Sequence, residues 1–438
     1  MTLWPLGVML LIFVALFLWR RWPLGLALAA AALAGGLVTG LPLWTTTQGG
    51  LVEPGSSVWR HLVEGGFIYI DPILIMATAL LFMKVIEGNG LLASLSWLIL
   101  ARLGRRPALL AVLLAAFVAF PGTLTGLTTA SVLTTGAIAA PPMLRMGMDR
   151  RRVGAFIALA ALLGMVAPPV NLPVMIIGGG VDMPYLGFTL PLLLLSVPPL
   201  VLIALWLGWG PLRRGDPEAA LAGLDPGPWQ RHGWRLLLPV LLVLVLMGGP
   251  RLWPGHFPSL GLPLIFVLAS LLGLRVGERL RPLDVARAAL RQALPVMAIL
   301  VGVGCFIQIM TVSGLRGGLV IAVLQLPEWA AWLGMLAGLP LFGAVSAFGS
   351  ASVLGVPFLL AMLGRPEIWV GAGLSLLAAL GDLMPPTALS GIFAAQVVDE
   401  PDYLRVLRVC LLPALAIGLW ALALIYFGGP MADWLGGR

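Results

Sequence analysis

The stretch Pro121-Gly122-Thr123-Leu124-Thr125-Gly126-Leu127-Thr128-Thr129 sits in the middle of an apolar run that extends from 107 to 143. One Pro, two Gly and four Thr in nine residues do not make a lipid-facing helix centre. Non-helical backbone at membrane depth is tolerated only where it is buried in protein or lines a cavity. The run therefore reads as a re-entrant helical hairpin whose tip is this polar segment. The next apolar run, 153–180, contains Ala167-Pro168-Pro169-Val170-Asn171. Two consecutive prolines remove two backbone donors and clash with the preceding turn, so this span is expected to break there.

Working outward, the same order of features returns in the second half. A hairpin at 329–363 carries the tip Gly343-Ala344-Val345-Ser346-Ala347-Phe348-Gly349-Ser350. A broken span at 368–398 contains Asp382-Leu383-Met384-Pro385-Pro386-Thr387. Ala130-Ser131-Val132-Leu133 recurs as Ala351-Ser352-Val353-Leu354. A four-letter match of common residues can arise by chance. Hairpin, Pro-Pro break and following span in one order is a duplication.

The composition agrees with this reading. The 438 residues are 60% hydrophobic and 10% charged, against about 25% charged and 45–50% apolar in soluble domains. Soluble enzymes, secreted domains and disordered chains are excluded. The apolar segments lack the short alternation of a β-barrel. The remaining runs are 3–19, 22–44, 67–86, 185–209, 235–250, 259–275, 292–312 and 405–427, with short apolar segments at 91–104 and 315–326. The expected fold is thus an all-α polytopic membrane protein of ten spans and two hairpins. Residues 1–66 hold two spans and a polar stretch with Glu53, Arg60, His61 and Glu64, while 67–210 form the first repeat. Residues 211–291 connect, with 211–234 the one plausible linker, and 292–427 form the second repeat. Met1-Thr2-Leu3-Trp4 has no basic side chain before the first run, so that run is read as a retained span and not a signal peptide.

Charge orients the chain. The net charge is +8, and all but one of the 26 basic residues are Arg. The Arg clusters lie between spans, which points to the positive-inside rule and not to a nucleic-acid partner. With the N-terminus outside, 21 basic residues fall inside and five outside (Arg60, Arg251, Arg316, Arg365 and Arg438). The first hairpin then enters from the cytoplasm and the second from the outside, so the repeats are inverted.

Inverted repeats with discontinuous helices near the midplane are a secondary-transporter design. Helix N-termini there attract anions such as carboxylates, and free carbonyls coordinate Na⁺. Small hydroxyls add neutral oxygen ligands. The candidate substrate and ion ligands are Thr125, Gly126, Thr128, Thr129, Ser131 and Asn171 in the first half. In the second they are Ser346, Gly349, Ser350, Ser352, Asp382, Thr387 and Ser390, with Pro168, Pro169, Pro385 and Pro386 as structural breaks. Each hydroxyl has a second reading, a bond to its own helix backbone. Asn171 can equally bridge carbonyls freed by the prolines. Asp382 lies inside a span, where an ionised carboxylate is costly without a cavity or partner. It either binds Na⁺ or a proton, or caps the break. Asp71 before Pro72 reads as a cap, and Lys84 and Glu87 as an i, i+3 pair.

No catalytic constellation is visible. His61, His232 and His256 lie far apart, and no HExxH, GxSxG or Walker A sequence occurs. Cys305 and Cys410 lie in apolar runs without CxxC spacing. An intramembrane enzyme or an inert scaffold is therefore a poor fit, and without an ATP site the driving force is an ion gradient or a partner.

The motif order from Asp71 to the end resembles the large membrane subunit of the tripartite ATP-independent periplasmic (TRAP) transporters, within the ion-transporter superfamily. Gly122 through Gly126, Pro142, Gly147 and Gly164 through Asn171 carry most of the likeness, with Gly381 to Gly391 matching the second break. The resemblance implies a sodium-coupled elevator importer of organic anions, often carboxylates, in a bacterial inner membrane, with no cofactor beyond the coupling ion. It also implies a small four-helix membrane subunit and a periplasmic substrate-binding protein as partners. Two departures stand out. The first tip is Thr-rich where the family has a Gly/Ser run and an acid, and Thr387-Ala388-Leu389-Ser390 lacks the usual Gly and Asn. A stand-alone carboxylate or oxyanion transporter or antiporter of the same superfamily is the alternative.

Overall fold

The computed structural model describes residues 3–436 apart from 45–46, 49–50, 53–56, 254 and 259. Glu53 of the polar stretch and Arg438 of the outer charge set lie outside the described residues. The chain is helical almost throughout. Among described residues the β-pairing is a two-residue antiparallel ladder, β1 (Thr47–Gln48) with β2 (Leu51–Val52), and a single bridge between Leu363 and Arg365.

The helices sort into two packed groups. The first contains α1 (Trp4–Trp19), α2 (Leu24–Val38), α3 (Val58–Phe67) and α4 (Ile70–Gly88). Helix α5 (Leu91–Leu103) packs on α4 and joins it to the second group. That group opens with hairpin 1, made of α6 (Pro107–Thr125) and α7 (128–145). It continues with α8 (Arg150–Val166), α9 (Leu172–Gly179) and α10 (Thr189–Arg214). Short α11 (Pro217–Leu221) and α12 (Gly227–His232) follow. The chain then returns to the first group as α13 (Leu238–Leu252), α14 (Leu262–Gly273) and α15 (Pro282–Val312). After α16 (Leu315–Leu324) comes hairpin 2, α17 (328–343) with α18 (Ala347–Ala361). Helices α19 (Glu367–Ala379), α20 (Leu389–Val397) and α21 (Tyr403–Gly436) complete the second group.

Helix α15 packs on α2, α3 and α4, and α14 joins α4 to α13. Close approach here depends on glycine: a Cβ on Gly25 would strike the Ala298 carbonyl, and one on Gly304 the Gly65 carbonyl. In the second group α8 is the centre, with every residue from Val153 to Val166 buried. It contacts α6, α10, α20 and α21. A helix apolar on all sides belongs inside protein, and its neighbours supply the lipid-facing surface.

Length alone finds fewer crossings than the ten spans expected. Among described residues five helices are each long and apolar enough to cross a membrane, or six with α3 and α4 taken as one span bent by 43°. Of the other runs, 153–180 and 368–398 are divided at their proline pairs, while 22–44 and 259–275 hold single helices of 15 and 12 residues, short of the ~20 that a crossing needs.

Several local expectations change. The polar stretch before α4 is not all loop, because α3 forms there, with Ser57 accepting from the Arg60 N–H as its N-cap. Asp71 is not a cap: it sits in the first turn of α4, whose N-cap position is Tyr69. The basic stretch after Arg275 turns helical at Pro282, with Asp284 in the first turn, where an acid suits the helix dipole. The expected linker holds α11 and α12, which pack on α5. Lys84 and Glu87 pair at 2.7 Å, and both cysteines are free.

Candidate functional site

The first hairpin tip is narrower than its composition suggests. Helix α6 continues through Pro121 to Thr125, leaving Gly126 and Leu127 as the turn. The returning arm repairs what the proline disrupts. Ser131 Oγ accepts the Gly122 N–H at 2.7 Å, and the Thr135 hydroxyl donates to the Val118 carbonyl at 3.0 Å. Val118 is the residue whose carbonyl Gly122 would bond in an unbroken helix. The Thr125 hydroxyl donates to the Pro121 carbonyl at 2.8 Å. Gly126 closes the helix at φ 66°, and a Cβ there would press on Leu172 of the neighbouring break.

Hairpin 2 is built alike. Its turn is Ala344, Val345 and Ser346, and Ser346 Oγ accepts the Gly349 N–H at 3.1 Å. The Ser350 hydroxyl donates to the Leu339 carbonyl at 2.7 Å, and the Ser352 hydroxyl to the Gly349 carbonyl at 3.0 Å. Gly349 is buried against Ser346. In both hairpins the returning arm starts with four α-helical residues and then five in π-helix, 132–136 and 351–355. Ser131 therefore corresponds to Ser350. The repeated letters Ala-Ser-Val-Leu are two residues out of this structural register.

Each break docks on its own hairpin in the same manner. The Val170 N–H donates to the Thr123 carbonyl at 3.0 Å, and the Thr387 N–H to the Ala344 carbonyl at 3.3 Å. The Thr387 hydroxyl adds a second bond to that carbonyl at 2.5 Å. Gly122 lies against Gly164, and Gly343 against Gly381, too close for a Cβ on Gly164 or Gly381. Both proline pairs are joined by cis bonds. Matching Gly122 to Gly343 while Thr128 matches Ala347 makes the second tip two residues shorter.

At the breaks, two bonds between side chains join the halves. The Thr128 hydroxyl, at the start of α7, donates to Asp382 Oδ2 at 2.6 Å. Asn171 Nδ2 donates to Ser375 Oγ of α19 at 2.8 Å and to the Val166 carbonyl at 3.0 Å. Its Oδ1 caps α9 by accepting the Val174 N–H at 3.0 Å. Asn171 thus serves the break backbone and also bridges the repeats. The Ser390 hydroxyl donates to the Asp382 carbonyl at 3.0 Å, and half-buried Thr129 lies beside Thr128. Asp382 is 7% exposed, and among the described residues no cationic side chain acts on it.

The candidate ligands therefore fall into two classes. Thr128 and Ser390 meet Asp382 at the second break, and Asn171 meets Ser375 at the first. Thr125, Ser131, Ser346, Ser350 and Ser352 bond within their own hairpins. Sequence reasoning missed Ser375 and Thr135. Neither lies at a tip or beside a proline pair, so no local signal marks them.

Between the two helix groups lies a cavity of about 610 Å³. Its floor is Thr123 and Leu124 of hairpin 1 with Pro168 and Pro169 of the break, and α13 and α14 form the far wall. At hairpin 2 a crevice between Phe342, Val345 and Ser346 on one side and Leu10, Phe13 and Phe306 on the other holds about 10 Å³, and a neighbouring one along Leu10, Phe13, Phe342, Val345 and Leu354 holds about 340 Å³.

No curated protein sequence matches the chain significantly. Solved structures share its fold, two transporters among them. The Alcanivorax borkumensis YdaH transporter superposes with a TM-score of 0.61 at 19% identity, covering 93% of this chain and 97% of that one. Neisseria gonorrhoeae MtrF, described within a class of antimetabolite efflux pumps, gives 0.59 at 15% identity, covering 92% and 94%. Residues 10–428 match the family described as "Tripartite ATP-independent periplasmic transporter, DctM component". With nearly the whole chain matched, the protein belongs to the DctM-component family of TRAP transporters, a family of multi-pass membrane transport proteins.

Proposed function

We propose that this chain is the transport subunit of a secondary importer that takes up organic anions, carboxylates first, on an ion gradient, with Na⁺ as the coupling ion. The group around α8 moves as an elevator against the group around α15, with the N-terminus outside and the repeats inverted. A small membrane subunit and a periplasmic binding protein deliver the substrate in the bacterial inner membrane. The observation that carries this reading is the Thr128–Asp382 bond. It places a buried carboxylate between hairpin 1 and break 2 with no cationic side chain beside it. Such a carboxylate calls for a proton or a bound cation. Hydroxyl and carbonyl oxygens crowd the same point, which suits a hard cation.

Uptake by proteoliposomes tests the reading, using a panel of carboxylates with and without a Na⁺ gradient and with and without partner proteins. Gradient-dependent accumulation of a carboxylate is expected. No movement of any acid under any gradient would overturn it.

A second reading, a stand-alone transporter or antiporter, draws on the fold shared with YdaH and MtrF over nearly their whole length. Transport by the isolated chain, without partner proteins, would favour it over the tripartite one.

A further inference from the structure

The cavity that reaches the first break is lined mostly by carbon, with hydroxyls from Thr123, Tyr185 and Thr189. No Asp, Glu, Lys, Arg or His lines it. Two of its hydroxyls already spend their protons locally: Tyr185 donates to the Pro169 carbonyl at 3.1 Å and Thr123 to the Phe120 carbonyl at 2.7 Å. Aromatic and aliphatic side chains make the rest, among them Phe120 and Tyr185 on one wall and Val243 and Met247 on the other. A charge carried into such walls loses its hydration without a partner. An apolar body gains from the same walls in proportion to its area.

We propose that the substrate is a monoanion with a bulky apolar body, an aryl or branched aliphatic monocarboxylate, and not a small dicarboxylate. The carboxylate faces the break and hairpin tip, where helix N-termini attract an anion. The hydrocarbon part lies between Phe120, Tyr185, Val243 and Met247. A volume of about 610 Å³ falls within the range of sites that enclose a drug-sized ligand. A four-carbon diacid would leave most of it unfilled and would place its second charge against carbon. This inference rests on the carboxylate-transport reading and specifies its substrate.

The test is binding to the full-length purified chain, measured by ligand-induced thermal stabilisation and by titration. The probes are a series of ω-phenyl monocarboxylates of increasing length, with diacids of matched length. Each buried methylene should raise affinity about fourfold until the cavity is filled. Diacids should bind at least about tenfold more weakly than the monoacid of equal length. Met247→Trp, which narrows the cavity, should flatten the length dependence. Val243→Ala should move its plateau to longer acids. Equal or tighter binding of short diacids, a flat series, no binding of any acid, or a length dependence indifferent to both variants would overturn the proposal. Proteoliposome uptake separates it from the parent reading. Na⁺-driven uptake of diacids alone would sink this inference and keep the transporter. A length-dependent series without gradient-driven uptake would do the reverse.

Discussion

The two breaks share a frame and differ in what they carry. In both, a cis proline pair follows a glycine that lies flat against a hairpin glycine, and the next N–H bonds the hairpin carbonyl. The first break then places Asn171 at the N-cap of α9, where its side chain closes the helix. The second places Ala388 there, at φ +37° and without a capping side chain. Conversely, the second break has Asp382 directly after its close-packed glycine, where the first has the buried Met165 after Gly164. One break is satisfied by its own amide, while the other holds a carboxylate that depends on Thr128 from the opposite half. The shared frame positions two helix ends, and the differences make only one of them ionisable.

This contrast can be broken experimentally. The largest effect is expected from Asp382→Asn. Ion-driven uptake should fall by about tenfold or more, since one charge-assisted ligand contributes about 1.5–3 kcal/mol. Unchanged coupled uptake in that variant would remove Asp382 from the coupling role. Gly164→Ala and Gly381→Ala should each lower stability by about 1–3 kcal/mol through overpacking against backbone. Thermal unfolding in detergent measures both, and similar losses are expected if the two docking points are equivalent. Asn171→Ala should cost about 1–2 kcal/mol, because it removes a helix cap along with the bridge to Ser375. No shift in its melting temperature would mean that the cap is supplied elsewhere. The smallest effect is a gain: Ala388→Gly should stabilise by about 0.5–1 kcal/mol, by relieving a left-handed alanine at the expense of some chain entropy. Destabilisation there would show that the alanine methyl group packs usefully.

Much of the frame was legible because prolines, glycines and charges act locally. The tips stand out as hydroxyl-rich gaps, and the Pro-Pro pairs at 168–169 and 385–386 do mark breaks, although those at 141–142 and 198–199 stay inside helices. Their extent was not legible. Pro121 remains helical because Ser131 and Thr135, ten and fourteen residues further on, take over its broken bonds. The duplication was visible in the order of elements, but its register was not. The matching letters mislead by two residues, whereas the π segments and the paired glycines give the true correspondence.

The sequence by itself determined a membrane-embedded chain with two hairpins, two breaks and one acid inside a span, since hydropathy and proline chemistry need no partner to be read. Tertiary structure alone decided which hydroxyls serve the backbone and which reach across. It brought Thr128 to Asp382 and Asn171 to Ser375 over more than 200 residues of chain. It also made the space beside hairpin 1 larger than that beside hairpin 2. Those outcomes depend on how two helix groups pack, and packing is a property of surfaces that no single stretch of sequence contains.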